Sequence, residues 1–164
     1  MRASELRDLF EYAIDSRSRL LAKARELGWE AFVQGRGATW DSMLLVYLHI
    51  LDVEDGWLEI AAHGGDLAHG PDRKAADYSG FDAVEADSLR VAGLTRSRIA
   101  GWSDDDLARP VRFLARDPLE RTPERIAMHA FIDEVAHLGE LICLFWQQGV
   151  EPPYIDWLDY RLTP

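Results

Sequence analysis

The chain has 164 residues, a formal net charge of −11 and a single cysteine, Cys143. This length predicts one domain, residues 1–164, with a core that needs neither a disulfide nor a metal to fold. The acidic charge, with no cluster of Lys or Arg to overcome it locally, argues against direct nucleic-acid binding.

Two apolar patterns in the first part of the chain predict helices A and B. Helix A covers about residues 4–27, with Ser4 as its cap and Gly28 after its last turn. Helix B covers about residues 40–62, because its apolar residues recur in steps of three and four, the spacing of a bundle seam. The residues of this seam are Met43, Val46, Ile50, Val53, Trp57 and Ile60.

The second part of the chain predicts two more helices. Residues 63–80 show no helical period and predict a long connection, after which helix C covers about residues 82–102 with Asp82 as its cap. Residues 111–114 alternate in polarity, which fits a small hairpin or an extended crossover. Helix D begins with Thr122 as cap and Pro123 in its first turn, and it ends at Gly149. We therefore predict an all-α four-helix bundle with a long connection between helices B and C and an aromatic tail packed back on it.

The ends and the apolar segments of the chain bear on its location. Residues 1–8 are charged and lack the apolar core of a signal peptide, and a lone cysteine suits a reducing compartment. We therefore expect a cytoplasmic protein.

The apolar stretch 126–146 has the length of a membrane span, but polar groups recur on each of its turns, which favours a buried helix. We expect no membrane association.

Helix D carries charged side chains in a segment that is otherwise apolar. The formal charges between residues 126 and 146 are Asp133, Glu134 and Glu140. A buried carboxylate costs several kcal/mol unless it is paired, hydrogen-bonded or bound to a cation. Asp133 and His137 are four residues apart and share one face of the helix, and His129 extends this stripe by one turn.

Helix B supplies a further histidine, His49, which lies one residue off the seam and so borders the core. A histidine from one helix and an Asp/His pair from another is the way in which metal sites are assembled in bundle cores. Two imidazoles and one carboxylate leave coordination positions open for water or substrate. The spacing fits equally well a buried hydrogen bond between Asp133 and His137 without a metal.

Three stretches of the chain together resemble the DinB-like superfamily, which includes thiol-dependent S-transferases. They are His49-Ile50-Leu51-Asp52-Val53-Glu54-Asp55-Gly56-Trp57-Leu58, Asp133-Glu134-Val135-Ala136-His137-Leu138-Gly139-Glu140 and Gly149-Val150-Glu151-Pro152-Pro153-Tyr154-Ile155-Asp156-Trp157. The resemblance spans nearly the whole chain in the order of its elements. It implies a divalent metal ion (zinc, nickel, iron or manganese) that activates a thiol or a water for transfer or hydrolysis on a small molecule. It also implies a low-molecular-weight thiol as a partner and a homodimer.

The chain departs from the family pattern at Asp133, where the family usually has the first His of a His-x-x-x-His motif. We therefore predict the ligand set His49, Asp133 and His137, a harder set than three histidines. Three alternatives stay open: His129 replaces Asp133 as third ligand, Asp133 only orients a ligating histidine, or the metal has been lost. The competing class is a non-catalytic bundle with a polar core, either a small-molecule binder or a stress-related dimer.

The remaining conspicuous residues predict packing or solvated positions. Glu134 is expected to be exposed or to contact another helix, and Cys143 to be a small core residue. Trp40 and Trp57 are interpreted as packing residues, and the loop histidines His63 and His69 as solvated. The run 104–106 of three aspartates is interpreted as a solvated face or a helix cap.

Overall fold

The computed structural model describes residues 1–37, 39–65, 72–112, 120–158 and 160. Four long helices form the body of the described chain: α1 Ala3–Leu27, α3 Met43–His63, α4 Phe81–Ala100 and α6 Pro123–Gln147. Two short helices, α2 Trp29–Val33 and α5 Asp104–Ala108, join them, with a 3₁₀ turn at Ala75–Asp77. The predicted all-α four-helix bundle is confirmed. Within the described residues, no helix combines the length and the apolar character that a membrane crossing needs.

The helix starts are a mixture of confirmed and wrong predictions. The Thr122 side chain accepts a hydrogen bond from the Arg125 N–H at 3.3 Å and Pro123 follows it, as predicted. Ser4, by contrast, lies inside α1, which begins after Arg2. The cap of α4 is Gly80 rather than Asp82, and α3 begins at Met43 after Ser42, later than predicted. The observed helix starts differ from the predicted ones because several nearby residues can cap a helix, and the packing around the helix end decides which of them does.

The segment between α5 and α6 forms the small hairpin that the alternation allowed. Strand β1 Val111–Arg112 pairs antiparallel with β2 Glu120–Arg121. The Gly65 N–H donates a hydrogen bond to the Arg112 carbonyl at 3.0 Å, which ties the hairpin to the end of α3. The aspartate run forms the first turn of α5, and the cap of this helix is Ser103. The Ser103 hydroxyl accepts a hydrogen bond from the Asp106 N–H, and the Asp106 carboxylate accepts one from the Ser103 N–H, so one of the three aspartates takes part in the capping.

The long connection is held to the bundle by Arg73, whose side chain is 6% exposed. Its guanidinium lies 2.5 Å from a carboxylate oxygen of Asp52, 3.1 Å from one of Asp55 and 2.7 Å from one of Asp87. The first two belong to α3 and the third to α4, so one cation joins both helices. Burial alone raises the pKa of Asp87, but the hydrogen bonds from Arg73 and Tyr78 outweigh it and lower this pKa to about 2.

The centre of the bundle contains a buried charge cluster that the sequence did not predict. Arg17 of α1 donates hydrogen bonds to Glu54 of α3 and to Glu134 of α6, the latter at 2.8 Å, and Thr95 of α4 also donates to Glu54. The side chains of Arg17, Glu54 and Glu134 are all 0% exposed. Glu134 is therefore not an exposed carboxylate, although it does contact other helices. Burial raises the pKa of Glu134 well above its ordinary value despite the nearby Arg17.

Two aromatic residues of the tail, Trp157 and Tyr160, pack back on α1, as predicted. Tyr12 makes edge-to-face contacts with Trp157 and Tyr160, with ring centroids 5.4 and 5.5 Å apart. Each such pair adds a modest stabilisation beyond the area that it buries.

Candidate metal centre

The structure brings His49, Asp133 and His137 together between α3 and α6, the pair of described helices with the most extensive mutual contact. The Nε2 atom of His49 lies 3.3 Å from Oδ2 of Asp133, and Nε2 of His137 lies 3.7 Å from the same oxygen. The two imidazole rings meet edge to face with centroids 4.7 Å apart. One potential ligand atom from each of the three side chains lies within 4.8 Å of the other two.

These separations suit a small divalent cation. Bonds of about 2.1 Å in a tetrahedral arrangement place neighbouring ligand atoms about 3.4 Å apart. The two measured distances to Oδ2 bracket this value. All three side chains are partly exposed, with 15–30% of their surface accessible, so the cluster faces the surface on one side.

The carboxylate of Asp133 has an oxygen atom that lacks a hydrogen-bond partner among the described residues. Its Oδ2 atom is buried and has no hydrogen-bond partner of acceptable geometry among the described residues. A buried acceptor without a partner is costly, more so when it carries charge. A cation held between the three side chains removes that cost, so the residues present fit a divalent ion.

Glu140 holds one of the two histidines in place. Its Oε2 atom lies 2.9 Å from Nδ1 of His137, and its Oε1 accepts a hydrogen bond from the Thr39 N–H at 2.6 Å. Burial raises the pKa of Glu140, but these contacts outweigh it and lower the pKa. A carboxylate on one ring nitrogen fixes the tautomer and leaves Nε2 free to bind a metal. The sequence analysis gave Glu140 no role; its spacing of three residues from His137 was the available signal.

Trp40 covers the other histidine. Its ring is stacked on that of His49, with centroids 4.1 Å apart and planes 22° from parallel. Burial lowers the pKa of His49, His137 lowers it further, and the opposing effect of Asp133 does not offset them. A lowered pKa keeps the imidazole neutral at neutral pH, the form in which histidine binds metals. Trp40 is 40% exposed, and the ring on which it stacks belongs to a candidate ligand.

The other histidines lie elsewhere in the described chain. His129 is exposed, meets Trp57 edge to face at 4.7 Å and is not part of the described His/Asp cluster. His63 is exposed, as predicted, but it forms the last residue of α3 rather than part of the loop. His69 lies outside the described residues.

A cavity of about 560 Å³ adjoins the cluster on the side of His137. It is lined by Gly37, Thr39, Ala136, His137, Glu140, Cys143, Leu144 and Gln147. Cys143 is exposed here, so the prediction of a core position is wrong. Apolar residues occur on all sides of α6, so the sequence alone does not show which of them face the core. The packing of the helix decides this.

The fold and the cluster define a class: a four-helix bundle in which facing helices bring His, Asp and His together in a group that can hold a metal ion. The family model of the DinB family matches residues 1–163. The chain therefore belongs to the DinB family, in agreement with the resemblance seen in the sequence. No curated protein matches the chain.

Proposed function

We propose that this DinB-family protein is a divalent-metal-dependent enzyme that transfers or hydrolyses a group on a small molecule. The observation that carries the proposal is the buried, unpartnered Oδ2 of Asp133 facing Nε2 of both His49 and His137. Three protein ligands leave further coordination positions for a nucleophile or substrate, as in catalytic rather than structural sites.

A divalent ion supplies Lewis acidity at such a site and lowers the pKa of a thiol or a water. The protein's part is to hold and orient. His49 and His137 present their Nε2 atoms, and Asp133 contributes a carboxylate oxygen. Glu140 keeps the ring of His137 in the ligating tautomer, and Trp40 shields one face of His49 from water. The adjoining cavity of about 560 Å³ offers room for a small thiol or substrate.

Metal content tests the site directly. Protein purified without a polyhistidine tag is expected to contain about one equivalent of zinc, nickel, iron or manganese by elemental analysis. His49→Ala is expected to lose it, because it removes the ligand from α3. His129→Ala is the matched control, since it removes an exposed histidine one turn from Asp133 and is expected to keep the metal. Equal loss in both variants contradicts the ligand set.

Activity separates the enzyme from a non-catalytic bundle. The metal-loaded protein is mixed with a low-molecular-weight thiol such as glutathione and a model electrophile, and thiol consumption is followed. We expect turnover that chelation abolishes and that Asp133→Ala reduces at least tenfold, because one ligand and the charge it carries are lost. A protein that binds metal stoichiometrically but turns over neither thiol nor a hydrolysable ester is instead a binder.

Two further expectations complete the proposal. The protein is expected to be a homodimer, which sedimentation velocity measures, and a monomer at all accessible concentrations contradicts it. Cytoplasmic location and the absence of nucleic-acid binding stay predictions from the sequence.

A further inference from the structure

A second cavity, of about 310 Å³, lies between α1 and α4, and we refer to it as the α1/α4 cavity. Its lining includes Tyr47 of α3 but no member of the His/Asp/His cluster. The two-residue step from Tyr47 to His49 turns their side chains about 200° apart around α3, so the two sites lie on different sides of that helix. The volume is in the range of small-molecule sites, which begins at about 300 Å³.

Much of the lining of this cavity is apolar. Ile14 and Leu21 of α1 and Ala92 of α4 are buried, and Leu89 of α4 is 66% exposed. Tyr160 of the tail adds an aromatic ring. The transfer of an apolar group from water to such walls is favourable. The walls therefore favour a ligand with an apolar body.

The buried part of the lining also carries two hydroxyl groups, those of Tyr47 and Ser88, whose residues are 1% and 8% exposed. Their oxygen atoms lie 2.9 Å apart and share one hydrogen bond. The pair has two hydroxyl hydrogens, and this bond uses one of them. Neither hydroxyl has a second hydrogen-bond partner among the described residues, so one donor is left over. Burying a donor without an acceptor is unfavourable, and an acceptor inside the cavity removes that cost.

The charged side chains that line the cavity already have partners of opposite charge. They form three ion pairs with distances of 2.7–2.8 Å: Glu11–Arg96, Asp15–Arg19 and Glu85–Arg25. A charged ligand therefore meets no unpaired counter-charge in the lining, and it loses hydration on entry. These ion pairs favour an uncharged ligand over an anion or a cation.

The walls, the spare donor and the ion pairs together define a class of ligand. We propose that the α1/α4 cavity binds a small uncharged molecule with an apolar body the size of one aromatic ring and a carbonyl oxygen that accepts the spare hydrogen of the Tyr47–Ser88 pair. The apolar walls contribute most of the affinity, and the hydroxyl pair fixes the orientation. The inference does not rest on the proposed function, because it uses no residue of the candidate metal centre.

Ligand titration by NMR tests the cavity without reference to catalysis. Acetophenone, the anion benzoate and the cation benzylamine are added in turn to ¹⁵N-labelled protein. We expect acetophenone to shift the amide signals of Ser88, Leu89 and Ala92 in a saturable way, with an affinity on the order of millimolar for so small a ligand. Benzoate and benzylamine are expected to bind at least tenfold more weakly. Saturable shifts confined to Ala136 and Cys143 place acetophenone in the cavity beside His137 and overturn the proposal.

Variants test the hydroxyl pair and the cavity separately. Tyr47→Phe combined with Ser88→Ala removes both hydroxyls and is expected to weaken acetophenone binding about tenfold, because the carbonyl oxygen loses its donor. Ala92→Leu fills part of the cavity and is expected to abolish the shifts of Ser88 and Leu89. Ala86→Leu makes the same change at an exposed position of α4 outside the lining and is the matched control, expected to bind like the wild type.

The possible outcomes decide the proposal in either direction. Circular dichroism verifies that each variant keeps its helices; if Ala92→Leu does not fold, the double variant and the charged probes decide. A lack of saturable shifts with acetophenone, the result for a cavity that holds only water, overturns the proposal. Equal affinities for acetophenone and benzoate, or an unchanged affinity in the double variant, overturn it as well. Added zinc is expected to leave the titration unchanged, so the result is separable from that of the metal centre.

Discussion

Arg17 gives the sharpest test of the physical account of this bundle, because it is the only cation in the described part of its buried cluster. Its side chain is 0% exposed and faces two carboxylates, Glu54 and Glu134. Burial raises the pKa of Glu134, which favours its neutral form, whereas Arg17 holds the pKa of Glu54 below its ordinary value. Arg17→Met fills a similar volume without charge and so leaves Glu54 as an uncompensated buried anion.

The expected cost follows from that uncompensated charge. Breaking a buried ion pair by removing one partner costs about 3–5 kcal/mol. Domains of this kind have a free energy of unfolding of about 5–15 kcal/mol, so the variant loses a large share of its stability. For a chain of this size the melting temperature should fall by roughly 6–20 °C.

Chemical denaturation followed by far-UV circular dichroism measures this loss as a change in the free energy of unfolding. Arg17→Met combined with Glu54→Gln is expected to recover most of it, since the remaining charge is removed with its partner. Arg19→Gln, two residues away, breaks only a partly exposed pair with Asp15 and is expected to cost at most about 0.5 kcal/mol. A loss in Arg17→Met no larger than that in Arg19→Gln refutes the reasoning.

Three further predictions concern other parts of the molecule. Glu140→Gln is expected to weaken metal affinity about 10–100-fold in a competition titration with a chelator, because the tautomer of the ligating imidazole is no longer enforced; unchanged affinity contradicts this orienting role. Asp87→Asn is expected to lower the free energy of unfolding by about 1 kcal/mol at pH 6, a figure that includes solvent screening, because Arg73 lowers the pKa of this carboxylate to about 2. The difference in stability between wild type and variant should shrink as the pH falls from 3.8 towards that pKa. A difference that does not change with pH argues against the ion pair as its source. Gly64→Ala is expected to destabilise the protein by about 1–3 kcal/mol, because φ is +71° at this position and a Cβ atom would meet the hairpin backbone at 2.9 Å. Gly93→Ala lies inside α4 with open space around it and is expected to stabilise the protein by about 1 kcal/mol in the same denaturation assay. Similar effects of the two changes count against the steric argument.

The sequence by itself determined the helices and the stripes of side chains along them. Apolar spacing of three and four residues reports directly on which face of a helix is buried, and this periodicity placed the four long helices. Thr122 and Pro123 marked the start of α6 because both act within one turn of the chain. For the same reason the sequence placed Asp133 and His137 on one face of one helix. The order of three short motifs along the chain was sufficient to indicate the family.

Local sequence patterns do not predict which residues of different helices contact each other. The sequence predicted His49 as a partner of α6 from its place beside the seam and from the resemblance, but only the tertiary structure shows Nε2 of His49 at 3.3 Å from Asp133. Trp40 precedes the first residue of α3 and stacks on His49 within that helix, a contact that no periodicity reports. Glu140 was visible as a polar residue in α6, but its second contact, with the Thr39 N–H, joins positions 101 residues apart.

Glu134 shows most clearly what only the tertiary structure decided. Its neighbours along α6 offer no partner for its carboxylate, and an unpaired carboxylate has a lower free energy in water than in the core. In the folded protein it is fully buried, because Arg17 meets it from α1, 117 residues away in the chain. The free energy of a buried charge depends on which charges surround it in space, and that information is absent from any window of a single helix. Cys143 is the converse: its apolar neighbours suggest a core position, yet the packing of α6 on α3 leaves it exposed beside the cavity at the candidate metal centre.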